Sequence, residues 1–273
     1  MKPRADQEIE LDLLLAAIFE KYQYDFRNYS EASLRRRLSH ALTHFECATI
    51  SQLQDRVLRE PSVFTELLRF LTVQVTDVFR DPSYFRAVRT TVVPYLRTYP
   101  SLRVWVAGCA TGEEAYSLAI VLLEEGLLTN TLIYATDINP QSLRTAEDGV
   151  YELERFARFS ENYVDAGGTA SLSDYYTAQY GAAVFDRRLR NAIMFSDHSL
   201  ATDSAFAETQ LVSCRNVLIY FNSELQDRAI GVLRDSLCRK GFLGLGSKET
   251  LRFSAHANAF AEVAPRDRIY QRL

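Results

Sequence analysis

The sequence predicts an α/β protein in two parts: an all-helical N-terminal domain, then a doubly wound sheet with an insertion on its rim. Two observations carry this reading. From Ile9 to about Phe79 the apolar residues recur at helical spacing. Beyond Pro100 they gather into short runs rich in β-branched and aromatic residues, and these alternate with further helical patterns. The expected organisation is a helical domain over 1–80, a linker helix over 81–100, and the sheet domain over 101–273 with an insertion at about 151–190.

In chain order, Leu11, Leu14, Leu15 and Ile18 form the apolar stripe of a first helix. Leu34, Leu38, Ala41, Leu42 and Phe45 form a second, after "YSEAS", whose serines are candidate caps. "ISQLQDRVL" and "SVFTELLRFL" supply two more helices around Pro61. Asp81-Pro82 signals a helix start, and Pro94 and Pro100 punctuate its end. "LRVWVAG", "TLIYATDI", "NAIMFSD" and "TQLVSC" read as strands buried on both faces, with "GFLGLGS" and "DRIYQRL" completing the sheet. Helical patterns run through Ala115, Leu118, Ala119 and Leu122, and through Leu225, Ala229, Val232, Leu233 and Leu237. Tyr151 to Arg190 breaks the alternation and is the insertion.

Composition narrows the function classes. At 47% hydrophobic and 24% charged, the chain has the makeup of an ordinary soluble protein. A net charge of -4 argues against nucleic-acid binding. The start has no apolar leader pattern and no run is long enough to span a bilayer, so a cytoplasmic location is expected, without membrane insertion. Cys47, Cys109, Cys214 and Cys238 are scattered without metal spacing, and His40 and His44 lack a third ligand, so no metal is expected.

The chemistry-bearing residues gather where doubly wound folds bind ligands, beyond the carboxyl ends of the strands. "VWVAGCATGEEAYSL" delivers a turn with Gly108 and Gly112, followed by Glu113 and Glu114 at a helix start. Two carboxylates there would repel a pyrophosphate and suit a cationic ligand. Asp137 falls just beyond the second strand, placed to accept hydrogen bonds from a ribose diol. A nucleoside that is cationic and carries no phosphate matches S-adenosylmethionine. The alternative for each feature alone is structural: a packing turn and a helix cap.

"SDHSL" puts Ser199 and Leu200 where an adenine would lie, and "SCRNVLIYFN" puts Arg215 and Asn216 on the same edge. Val217, Leu218 and Ile219 are expected to return to the core, with Tyr220 and Phe221 closing over the rim. In "LTVQVTDVFRDPSYF", Thr76 and Arg80 lie four apart, compatible with one helical face. Arg36, Arg37, His40 and His44 are expected off the apolar stripe, as a solvated face or a docking surface for an acidic helix.

Together these motifs resemble the CheR-type glutamate methyltransferases of chemotaxis receptors, and the resemblance covers nearly the whole chain. It implies a class I S-adenosylmethionine-dependent methyltransferase domain, with S-adenosylhomocysteine as product. The acceptors it implies are glutamates on the cytoplasmic domain of methyl-accepting chemoreceptors. By the same resemblance the cofactor contacts are Gln74, Thr76, Arg80, Glu113, Asp137, Ser199, Leu200, Arg215 and Asn216, and the catalytic residues are Arg80 and Tyr220. Gln74 stands where the family has Asn, and Ser199 where it often has Asn. By the resemblance the insertion corresponds to a small inserted β-subdomain, which in some members holds a receptor C-terminal pentapeptide, and a regulatory adaptor is a further partner to test. A methyltransferase for another protein or a small molecule, or a non-catalytic cofactor-sensing module, is the alternative.

Overall fold

The computed structural model describes residues 5–74 and 76–273, so the reading of the first four residues lies outside it. Its contacts divide the chain into two compact units. The first runs to Val73 and adds Ile219–Arg228; the second comprises Gln74–Leu218 and Ala229–Leu273. The return of Ile219–Arg228 to the helical unit was not signalled by the sequence.

The first unit holds α1 (Asp6–Tyr22), α2 (Glu31–His44), α3 (Ile50–Arg59) and α4 (Pro61–Leu71). The apolar stripe of α1 is buried as its spacing predicts, and so are Leu34, Leu38, Ala41 and Phe45 of the second stripe, with Leu42 half-buried. Thr49 caps α3 by accepting a bond from the Gln52 amide, whereas Ser30 ahead of α2 makes no side-chain cap. Its amide instead donates to the Tyr220 carbonyl at 2.7 Å.

Arg37 corrects the expected polar face of α2. It is only 8% exposed, donates to Ser33 Oγ at 2.6 Å and to the Leu71 carbonyl, and lies 4.7 Å over the Tyr220 ring. Arg36, His40 and His44 are exposed. Described partners of Tyr220 and Phe221 are Arg37, Ser30 and Tyr29, all of the helical unit. Ile219 does not return to the core, being 38% exposed. Backbone bonds hold this stretch: the Ser30 amide donates to the Tyr220 carbonyl and the Asn222 amide to the Asn28 carbonyl, a short antiparallel pairing about Tyr29 and Phe221.

The second unit opens with a bent linker, α5 (Pro82–Ala87) and α6 (Val93–Leu96), joined through a π-helical turn at Val88–Val92. Pro94 has no amide to give, and the widened turn bonds the Val93 amide to the Val88 carbonyl. Then follow β1 (Leu102–Ala107), α7 (Glu113–Glu124), β2 (Thr131–Asp137) and α8 (Pro140–Asp148). The insertion contributes β3 (Val150–Glu152), α9 (Phe156–Asp165), β4 (Tyr176–Gln179), β5 (Ala182–Phe185) and α10 (Arg187–Arg190). The chain ends with β6 (Ile193–Asp197), β7 (Thr209–Cys214), α11 (Ser223–Ser236), β8 (Leu237–Leu245), β9 (Phe260–Ala264) and β10 (Ile269–Arg272).

The main sheet has the order β6-β2-β1-β7-β8-β10-β9, parallel from β6 to β8, with β10 and β9 added antiparallel. β9 is the strand the sequence reading lacked. The inserted strands form a separate antiparallel sheet, β3-β5-β4. Helix α7 is buried on every side from Glu113 to Leu122, which suits a helix covered by the main sheet on one face and the insertion on the other. Phe185 stacks on Tyr116 at 4.5 Å, and the Glu124 carboxylate receives Tyr163, Tyr175 and Arg89. No helix among the described residues is long and apolar enough to cross a membrane.

Candidate functional site

Four turns meet at the carboxyl edge of β1, β2 and β7. The first, Gly108–Gly112, is fixed by backbone geometry. Gly108 and Gly112 have φ of +72° and +95°, and added Cβ atoms would lie 2.4 Å from Val217 Cγ2 and 2.7 Å from Ala146 Cβ. Packing thus demands the glycines, whatever a ligand requires. The Gly108 and Cys109 amides both donate to the Thr136 carbonyl, which fastens the turn to β2.

Asp137 continues that fastening. Its Oδ2 accepts from the Ala110 amide and its Oδ1 from the Asn139 amide, each at 2.9 Å. Burial pushes its pKa up, opposed by those amide bonds. The cap of α8 is Asn139, which accepts from Gln141 and Ser142. The Ile138 amide also bonds the Asp137 carboxylate, which still retains acceptor capacity for a ligand's hydroxyl.

Glu113 and Glu114 begin α7 and turn to different neighbours. Glu113 is 0% exposed; Thr111 Oγ1 donates to its Oε2 at 2.7 Å, and Arg155 Nη2 lies 2.9 Å from its Oε1. That ion pair lacks hydrogen-bond geometry, leaving Oε1 without a bonded donor among the described residues. Burial raises the pKa of Glu113, with the Thr111 bond and the Arg155 charge pulling the other way. Glu114 instead accepts from Ser213 Oγ at 2.6 Å and from Arg215 Nη1 at 3.1 Å. It belongs to the framework.

The side chain of Arg215 is 1% exposed. Its Nη2 donates to Asp81 Oδ2 at 2.8 Å and to the Arg80 carbonyl at 3.0 Å, and its guanidinium lies 4.2 Å over the Tyr84 ring. It therefore clamps the turn that presents Arg80. That turn is irregular, not the helical turn expected: Phe79 and Asp81 both have φ of +54°. Asp81 makes no cap for α5, because its carboxylate serves Arg215.

Asn216 is also left-handed, at φ +61°. Its amide donates to Glu249 Oε2 at 2.9 Å, and the same oxygen accepts the Gly246 amide. Glu249, in "GSKETL", was not singled out from sequence; a carboxylate after a glycine turn was its only signal. Nor was Arg155, which also donates to the Thr76 carbonyl at 2.6 Å and lies 3.4 Å from Asp77. Ser199 organises its own turn, donating its amide to Asp203 and accepting at Oγ from the Ala201 amide, with Leu200 buried beside it. Gln74 carries a buried Nε2 with no partner among the described residues. Tyr220 lies with the helical unit.

The fit to S-adenosylmethionine rests on what these residues leave unsatisfied. Among the described residues, an amide nitrogen at Gln74 and a carboxylate oxygen at Glu113 lack hydrogen-bond partners, and Asp137 has acceptor capacity to spare. One donor and two anionic acceptors suit a nucleoside with an amino-acid tail and no phosphate. The residues present fit that group.

Comparison with known proteins agrees. Residues 9–72 match the family model described as CheR methyltransferase, all-alpha domain, and residues 74–267 the one described as CheR methyltransferase, SAM binding domain. The chain is 56% identical over 272 residues to a Pseudomonas putida protein carrying the name methyltransferase Cher3, covering 100% of both chains. It is 29% identical over 234 residues to a chemotaxis protein methyltransferase of Listeria innocua, covering 83% of this chain and 84% of that one. With both of its regions matched and a relative aligned end to end, the chain belongs to the CheR family of S-adenosylmethionine-dependent methyltransferases.

Proposed function

We propose that this enzyme transfers methyl groups from S-adenosylmethionine to glutamate side chains on the cytoplasmic domain of chemoreceptors, forming methyl esters in the cytoplasm. The observation that carries the cofactor half is the buried Glu113 carboxylate, with one oxygen unbonded among the described residues, at the end of a phosphate-hostile glycine turn. The acceptor half is supported by the family and by the relatives named for chemotaxis.

In this reading Glu113 faces the cationic part of the cofactor, with Gln74 and Thr76 alongside, and Asp137 accepts from the ribose. Ser199 and Leu200 bound the adenine. Asn216 contributes at the rim, and Arg215 acts through the turn it clamps. S-adenosylmethionine supplies an electrophilic methyl on a sulfonium. A free glutamate carboxylate has a pKa of about 4.3, so no general base is required of the protein. Arg80 steers the incoming carboxylate by charge and hydrogen bonding, a task of orientation. Tyr220 is the second proposed catalytic residue.

The test is incubation of the protein with methyl-labelled S-adenosylmethionine and receptor cytoplasmic fragments, followed by alkaline hydrolysis. Alkali-labile label on receptor glutamates is expected. Cofactor binding without label transfer would replace this reading with that of a non-catalytic module.

A further inference from the structure

Arg155 lies in the inserted segment, just ahead of α9, yet its guanidinium serves the cofactor edge. It donates to the Thr76 carbonyl at 2.6 Å, lies 3.4 Å from Asp77 Oδ1, and lies 2.9 Å from Glu113 Oε1. Its guanidinium also lies 4.8 Å from the Phe159 ring centroid, which holds the side chain to its own helix. Arg158, one turn on, reaches Asp77 Oδ2 at 3.1 Å. The insertion thus holds both the turn bearing Thr76 and the acid at the start of α7.

Glu113 needs such a partner. It is 0% exposed, and a buried carboxylate without a compensating charge takes up a proton. Arg155 is the cation that acts most strongly on it. Thr111 is a neutral donor, Tyr151 and Cys109 are kept protonated by burial, and Glu114 is an anion already engaged with Arg215. Asp77 lies on the far side of Arg155 and shares it.

We propose that Arg155 is a positioning residue that keeps Glu113 ionised and aimed at the cofactor's cationic end, so that the inserted segment sets cofactor affinity. This rests on the proposed role of Glu113 as a cofactor acid. Arg155 acts through Glu113. Without it, Glu113 is protonated over a wider pH range, and a cation must displace that proton to bind. Affinity then acquires a pH dependence the native protein lacks.

Two measurements on the full chain test this. The first is binding of S-adenosylhomocysteine, whose cationic end is its α-ammonium, by calorimetry from about pH 6 to 8 for the native protein, Arg155→Met and Arg155→Lys. Native affinity is expected to be flat. Arg155→Met should weaken binding at the acid end, by up to about tenfold per pH unit, and recover toward the alkaline end, while Arg155→Lys should stay close to native. Uniform weakening of Arg155→Met at every pH, not rescued by lysine, would reduce Arg155 to a structural tie and overturn the proposal. An unchanged Arg155→Met profile would overturn it too.

The second measurement needs no ligand. Because Glu113's folded pKa lies above its unfolded value, the stability penalty of its burial appears as pH rises through that range and is absent below the unfolded value. Loss of Arg155 moves the folded pKa higher, so the melting deficit of Arg155→Met should widen from mildly acid to alkaline pH. A deficit independent of pH would overturn the claim about Glu113's charge. A native protein that binds no S-adenosylhomocysteine, with the widening deficit still present, would instead refute the cofactor role of Glu113.

Discussion

Two adjacent acids at the start of α7 have opposite surroundings. Glu114 sits in a closed cluster with Ser213, Arg215 and, through Arg215, Asp81, and the arginine lies over Tyr84. Glu113 sits in an open one, where Thr111 satisfies one oxygen and the other faces a cation without a hydrogen bond. Successive residues on a helix point about 100° apart, so one turn serves a scaffold and a binding edge at once. The lesson is that burial of a carboxylate does not identify its task; the completeness of its partners does.

That contrast can be broken from either side. The largest effect is expected from Arg215→Met, which leaves the Glu114 and Asp81 carboxylates without their shared cation. Removing one partner of a buried ion pair costs about 3–5 kcal/mol, and urea denaturation should show a loss of that order. A loss under about 1 kcal/mol would mean that the closed cluster does not hold the Arg80 turn. A smaller effect is expected from Thr111→Val, which keeps the shape and removes one hydrogen bond to Glu113. Affinity for S-adenosylhomocysteine should fall by a few-fold, corresponding to about 0.5–1.5 kcal/mol, with little change in unfolding. Equal loss in both measurements would blur the distinction between the two acids.

The strands of the parallel sheet were legible because strands buried on both faces must be apolar throughout, as in "LRVWVAG" and "TQLVSC". β9, "FAEVA", escaped because an edge strand carries polar residues and a short run. The amphipathic stripes located α1 and α2, but spacing assigned Arg37 to solvent. It cannot report that Ser33, Leu71 and Tyr220 assemble a polar niche for a guanidinium. Likewise "GEE" announced two acids in the right place, while their division of labour depends on Arg155 and Arg215, 42 and 101 residues away from their respective partners. The crossing of Ile219–Arg228 into the helical unit is long-range in the same way.

The comparison is tested most directly by Glu113→Gln and Glu114→Gln, each assayed for S-adenosylhomocysteine binding by calorimetry and for unfolding in urea. Glu113→Gln removes a charge whose burial cost outweighs its compensation, so stability should not fall by more than about 1 kcal/mol while affinity falls by about tenfold or more. Glu114→Gln leaves Arg215 short of an anion, so stability should fall by more than about 1 kcal/mol while affinity stays within a few-fold of native. The reverse pattern, with Glu113→Gln unfolding the protein and Glu114→Gln abolishing binding, would contradict the assignment of the first acid to the cofactor and the second to the fold.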